Sequence, residues 1–192
     1  MRIIAGEFRS RVLKSPKDEG CRPAMGRTRE ALFSMLDARG VEWANVSVLD
    51  LFAGTGSLAF EAASRGARQL CLVENALGMQ KCIEANARLL GIIERVRCIK
   101  EDVLRYVRND ADQRYGLVFL DPPYRKKYVN QILDFLCHKG WLENHAYVSC
   151  EIEVEYTLNL PKPLVLETER VFGQTKIALC HYQLPRPKDV ES

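Results

Sequence analysis

Between residues 46 and 154, short and nearly continuous apolar runs alternate with stretches whose apolar positions recur every three or four residues. The runs cover 46–52, 69–74, 95–101, 115–121 and 146–154, and the stretches between them predict helices over 57–66, 76–91, 102–109 and 126–140. Strands apolar on both faces, separated by amphipathic helices, belong to a parallel sheet covered on both sides. Right-handed crossovers then make the sheet doubly wound. The pattern changes at the end, where 163–173 and 174–184 read as two strands joined by a tight turn at Gly173 and Gln174, an antiparallel hairpin. Ahead of the alternation, residues 2–13 read as two short strands about Gly6. Residues 26–40 carry apolar side chains at 31, 32, 35 and 36 with Gly40 behind them, which predicts a helix ending at a glycine C-cap. The expected fold is α/β: a doubly wound, mostly parallel, seven-stranded Rossmann-like sheet over 41–192, preceded over 1–40 by a small β-hairpin and helix extension.

The first apolar run ends in Asp50, Leu51, Phe52, Ala53, Gly54, Thr55 and Gly56, where strand gives way to helix. Open α/β sheets bind ligands at that point. Gly54 and Gly56 allow close backbone approach, and amides at a helix start favour a carboxylate. Neither a P-loop nor a dinucleotide fingerprint is complete here, and a tight turn with no ligand uses the same glycines. Two further acids close the next two strands. Glu74, 24 residues after Asp50, stands where an acid accepts ribose hydroxyls, and Asp102 stands where an acid accepts from an adenine amine. Together the three suit an adenosyl ligand. Asp102 also reads as a plain helix cap.

The fourth strand runs into Asp121, Pro122, Pro123 and Tyr124. Each proline fixes φ and lacks an N–H, so the pair ends the strand and holds the acid at the sheet edge. An exocyclic amine on a base or amide is a poor nucleophile because its lone pair is delocalised. Two acceptors on its hydrogens, the Asp121 carboxylate and the Pro122 carbonyl, draw the nitrogen toward tetrahedral geometry and free that pair. Attack on a methyl group then needs in-line positioning and stabilisation of charge growing on nitrogen. Tyr124 supplies an aromatic face for a flipped-out base. The plainer alternative is a turn in which Asp121 caps the next helix and Tyr124 is core. No cysteine lies beside the motif to act as a nucleophile.

Composition changes the picture in three places. Net charge is only +3, yet residues 1–30 hold eight basic side chains (Arg2, Arg9, Arg11, Lys14, Lys17, Arg22, Arg27, Arg29) against four acidic ones. A basic lobe on a near-neutral body suits a phosphate backbone, and equally a solvated surface. Arg125, Lys126 and Lys127 behind the catalytic motif carry the same two readings. The seven cysteines are widely spaced and form no metal pattern with the three histidines, which reads as core thiols in a reducing compartment. No apolar run suits a membrane span or a secretory signal, so the expectation is a cytoplasmic protein with neither metal nor membrane.

With these residues in view, the chain resembles the RsmD-type bacterial methyltransferases, which modify guanine N2 in small-subunit ribosomal RNA. A parallel sheet finished by an antiparallel hairpin is also the architecture associated with class I methyltransferases. The resemblance runs through residues 2–9 and 11–13, Arg22-Pro23, residues 27–33, Asp50 to Gly56, residues 61–67, and Asp121 to Tyr124. It departs at Ala24 and Gly26, where the family has a threonine and an acid, and at Asn75 behind Glu74. It implies a pocket for S-adenosylmethionine from Asp50, Phe52, Ala53, Gly54, Thr55, Gly56, Glu74, Asn75, Asp102 and Val103, and an amine pocket from Asp121, Pro122, Pro123 and Tyr124. It also implies an N-terminal segment that leans over the cofactor and helps to hold 16S rRNA, within the small subunit or an assembly intermediate. The competing expectations are the same chemistry on adenine or a protein glutamine, and a non-catalytic RNA-binding assembly factor.

Overall fold

The computed structural model describes residues 1–16, 23–123 and 128–184. Helix α1 spans Pro23–Ala38, β1 Ser47–Leu51, α2 Ser57–Arg65, β2 Gln69–Val73, α3 Leu77–Leu90 and β3 Val96–Ile99. They are followed by α4 Val103–Val107, β4 Tyr115–Leu120, α5 Val129–His138, β5 Leu142–Glu153, β6 Leu164–Phe172 and β7 Thr175–Tyr182. The strands form one sheet in the order β3-β2-β1-β4-β5-β7-β6. β1 to β5 pair in parallel, and β7 inserts antiparallel between β5 and β6. The expected mostly parallel, seven-stranded α/β sheet with a terminal hairpin is present.

Strand order reverses between β1 and β4, so their carboxyl ends meet where crossovers leave for opposite faces. One face packs Phe33, Phe60, Ile83 and Phe119 with α1, α2 and α3. The other packs Leu120, Ile132, Leu136 and Trp141 with α4 and α5. Both sides of the central strands are therefore dry, which is why those runs are apolar without alternation. Cys71, Cys150 and Cys180 are buried in the sheet as free thiols.

The N-terminal residues depart from two strands about Gly6. They form a loop closed by a single bridge between Arg2 and Val12. Ile3, Phe8 and Leu13 belong to the same apolar cluster as α2 and the sheet. The loop is clasped by α2: Glu61, fully buried, accepts from the amides of Ile4 (2.7 Å) and Ala5 (3.1 Å), and Ser64 Oγ accepts from Phe8 N–H (2.9 Å). Gly6 has φ +80, and a Cβ there would lie 1.8 Å from the Ser64 carbonyl oxygen. Only glycine fits that contact. Asn86 on α3 completes the clasp, accepting from Lys14 N–H at 2.7 Å and donating to the carbonyls of Lys14 (3.0 Å) and Thr55 (3.2 Å). One side chain thus ties the N-terminal loop to the glycine turn.

Candidate active site

The glycine turn leaves β1 in an abrupt sequence of backbone states. Phe52 has φ +63, Gly54 +54 and Gly56 +82. A side chain at Gly56 would meet Phe60 at 2.5 Å and Leu72 at 2.9 Å, whereas a Cβ on Gly54 would meet nothing within 4 Å. Gly56 serves packing, and Gly54 leaves its open side to whatever approaches. Gly56 is also the N-cap of α2 and brings no capping side chain. Asp50 takes over that role from below: its Oδ2 accepts from Ala59 N–H (3.2 Å) in the first turn. Asp50 is 2% exposed. Burial, opposed by the Ala59 hydrogen bond and assisted by the charge of Glu74, pushes its pKa up to about 7.

Glu74 lies directly beyond β2. Its Oε2 accepts from Gly54 N–H (2.9 Å) and its Oε1 from Ala76 N–H (2.7 Å), while Gln80 Nε2 donates to its backbone carbonyl (2.8 Å). The carboxylate therefore binds the glycine turn to the end of β2, and each oxygen keeps a further lone pair. Asp102 N-caps α4 through Arg105 N–H (3.0 Å) and is exposed at the rim, so it performs the capping role and remains open to solvent. Asn75 beside Glu74 is exposed, and Val103 beside Asp102 is buried. Ala53 and Thr55 are buried in the turn between them. The ends of β1, β2 and β3 thus carry acids in one row with Gly54 open between them.

On the other side of β1, the backbone amide of Asp121 reaches the carbonyl of Leu51 at 3.5 Å, one step beyond the Leu51–Leu120 pair. Pro122 is buried and Pro123 exposed. The Asp121 carboxyl is held well above the ordinary carboxylate range by burial, then by the neighbouring charges of Glu151 and Asp50. Phe52 bridges the two loops, its ring stacked on that of Tyr128 at 5.7 Å and 13°. Its left-handed backbone costs about 1–3 kcal/mol, and such strain gathers at functional sites. The sequence reading missed Tyr128, which lies inside the expected helix but stands just before α5. It also missed Glu151, on β5 beside Asp121.

The basic residues divide. Arg2, Arg9, Arg11 and Arg27 are exposed around the N-terminal loop and α1. Arg29, expected at an RNA surface, is a correction. It is 7% exposed, and its guanidinium donates to the Arg2 carbonyl (2.7 Å) and to Met1 Sδ, which holds the loop on α1 from inside. Arg22, Tyr124, Arg125, Lys126 and Lys127 lie outside the described residues. No metal-holding group of His, Cys, Asp or Glu occurs among the described residues, and no helix there is long and apolar enough to cross a membrane.

This arrangement has close counterparts. The family model described as conserved hypothetical protein 95 matches residues 1–181. A relative from Escherichia coli strain K12, ribosomal RNA small subunit methyltransferase D, is 31% identical over 192 residues, covering 100% of this chain and 94% of its own. Its namesake in Haemophilus influenzae is 33% identical, over 90% of this chain and 89% of that protein. A solved Escherichia coli structure, assigned provisionally as a methyltransferase, matches with a TM-score of 0.85 and 31% identity over 96% of this chain and 99% of that one. The chain belongs to the conserved hypothetical protein 95 family, the RsmD-type methyltransferases.

Proposed function

We propose that the protein transfers a methyl group from S-adenosylmethionine to the exocyclic N2 amine of a guanine in small-subunit ribosomal RNA. The observation that carries this reading is the adjacency of the β1 and β4 ends: an open glycine turn bordered by acids on one side, and Asp121 on the other. The names of the relatives, ribosomal RNA small subunit methyltransferase D, supply the substrate class.

The residues suit the cofactor. Gly54 leaves room that a side chain would fill, and the α2 start lacks a capping side chain of its own, so its first amides suit a carboxylate. Glu74 keeps lone pairs for ribose hydroxyls, and Asp102 is exposed where an adenine amine would need an acceptor. When bound, S-adenosylmethionine supplies an electrophilic methyl on a positively charged sulfur. The chain does the rest by holding the amine. Asp121 and the Pro122 carbonyl accept its two hydrogens and leave the nitrogen lone pair facing away from them. Positive charge that would grow on the nitrogen during transfer is stabilised by Asp121, which takes the departing proton. The prolines fix the acid and the carbonyl relative to each other, so little ordering is left to the moment of reaction. Residues 4–14 are held against α2 and α3, and the exposed arginines Arg2, Arg9 and Arg11 of that loop, with Arg27 on α1, are placed to take RNA phosphates.

The test uses labelled S-adenosylmethionine with small-subunit RNA and assembling particles, followed by nucleotide mapping. Label at one guanine N2 with wild type, and none with Asp121→Ala at unchanged cofactor affinity, is the expected result. Label that survives in Asp121→Ala, or cofactor binding lost with it, overturns the role given to Asp121. RNA binding without transfer establishes the assembly-factor alternative.

A further inference from the structure

The register that sets Asp121 at the rim sets a second acid beside it. Leu120 pairs with Cys150 in the parallel β4–β5 ladder, so Glu151 follows Cys150 as Asp121 follows Leu120. Neighbouring strands run about 4.8 Å apart. Successive residues leave a strand on alternate faces. Leu120, Cys150 and Ile152 pack with α4 and α5. Asp121 and Glu151 therefore share the opposite face, the one that also holds Phe119 and Ile177. Glu151 is partly buried, and among the described residues neither carboxylate has a hydrogen-bond donor or a cation as partner. The other rim acids differ. Asp50, Glu74 and Asp102 all spend a carboxylate oxygen on backbone amides.

A lone amine calls for one acidic acceptor, whereas guanine calls for two. On its Watson–Crick edge the N1–H lies beside the N2 amine, so the base presents adjacent donors. Adenine instead presents its N6 amine beside the N1 lone pair. We propose that Glu151 is a base-selecting residue of this site: its carboxylate accepts guanine N1–H while Asp121 holds the N2 amine. The assignment rests on the guanine-N2 reading above. With adenine in place, Glu151 would face a lone pair in a desolvated pocket, and a site built to bond a polar group rejects the analogue that lacks it. Burial pushes both carboxyls up, with the Glu151 and Asp50 charges adding to the effect on Asp121. Two donors from one base would relieve both.

The base 2-aminopurine separates this role from any other, because it keeps the 2-amine but has a bare lone pair at N1. Methyl transfer is measured on small-subunit RNA carrying guanine or 2-aminopurine at the mapped nucleotide, with wild type, Glu151→Gln and Glu151→Asp. Wild type should favour guanine by about 10- to 100-fold in kcat/KM, the effect of one lost hydrogen bond to a charged group. Glu151→Gln, whose amide can donate to N1, should bring that ratio close to 1, and Glu151→Asp should keep part of it. Cofactor affinity and melting temperature show that the variants are folded. A ratio unchanged in Glu151→Gln overturns the proposal, because a purely structural glutamate would slow both substrates alike. Should neither variant fold, a wild-type preference below about 3-fold overturns it. Wild type that labels an amine other than guanine N2 removes the reading beneath it, a failure distinct from an unchanged ratio.

Discussion

Asp50 sits at the bottom of the glycine turn, and replacing it with asparagine separates the shape of that side chain from its charge. Asparagine keeps an oxygen that can accept from Ala59 N–H and has nearly the same volume, but it cannot ionise. In the folded protein, burial and the charge of Glu74, against the Ala59 hydrogen bond, push the Asp50 carboxyl from 3.8 up to about 7. In the unfolded chain it titrates near its ordinary value of about 3.9. Between about pH 4 and pH 7 the folded state holds a proton that the unfolded state has lost, so stability must fall as pH rises through that window. About three pH units at about 1.4 kcal/mol each come to about 4 kcal/mol lost by pH 8. Urea unfolding of wild type and Asp50→Asn from pH 4 to pH 8 measures this directly. The two should be similar near pH 4, and the variant should gain on wild type by about 4 kcal/mol on reaching pH 8, with most of the gain below pH 7. Asp121 and Glu151 titrate in both proteins and largely drop out of the difference. A difference that does not change with pH would show Asp50 ionised throughout that window, and the account of burial raising its pKa would fail.

Three other outcomes follow from the same geometry. Glu74→Ala should weaken S-adenosylmethionine binding about 10- to 100-fold by calorimetry, through a lost charged hydrogen bond and a freed Gly54 amide; unchanged affinity would count against the ribose role. Gly6→Ala forces a Cβ against the Ser64 carbonyl at positive φ, so it should cost about 3 kcal/mol and lower Tm by about 6–12 °C, and a melting curve like that of wild type would refute the clasp. Because Asp121 must be ionised to accept, and burial holds it well above the ordinary carboxylate range, kcat/KM should fall on the acid side well above pH 4. An acid limb at pH 4 would refute that.

Most of the fold was legible because both faces of the sheet are dry, so each central strand announces itself as an apolar run. β1, α2 and the β6–β7 hairpin fall within a residue or two of the expected bounds. β5 begins earlier than expected, at Leu142, since Glu143, Asn144 and His145 are polar and the ladder is irregular where the strand enters the sheet. The loop around Gly6 looks like two strands from its pattern. Its amides go instead to Glu61 and Ser64, partners about 56 residues away that no local pattern reports. The Arg29 misreading was avoidable in part. It stands at helical spacing with Leu32, Phe33 and Leu36, a stripe that the structure buries. Glu151 was hidden in a run of alternating acids, Glu151, Glu153 and Glu155, and only the β4–β5 register singles it out.

The rim of the sheet gathers acids that a protein built for stability alone would avoid, since each buried carboxylate costs free energy unless it is bonded. How the acids are bonded divides the site. Those on the β1, β2 and β3 ends are met by backbone amides of the turn and helices they shape, so they stand ready before any ligand arrives. The two on the β4 and β5 ends have no donor among the described residues, and burial pushes both carboxyls above their ordinary range. Preorganised acceptors suit a cofactor that binds in one pose. Unsatisfied ones suit a base that must be pulled from its stack, because the hydrogen bonds missing from the free protein are then made only by a substrate with donors in the right places, and their formation offsets the cost of flipping it out.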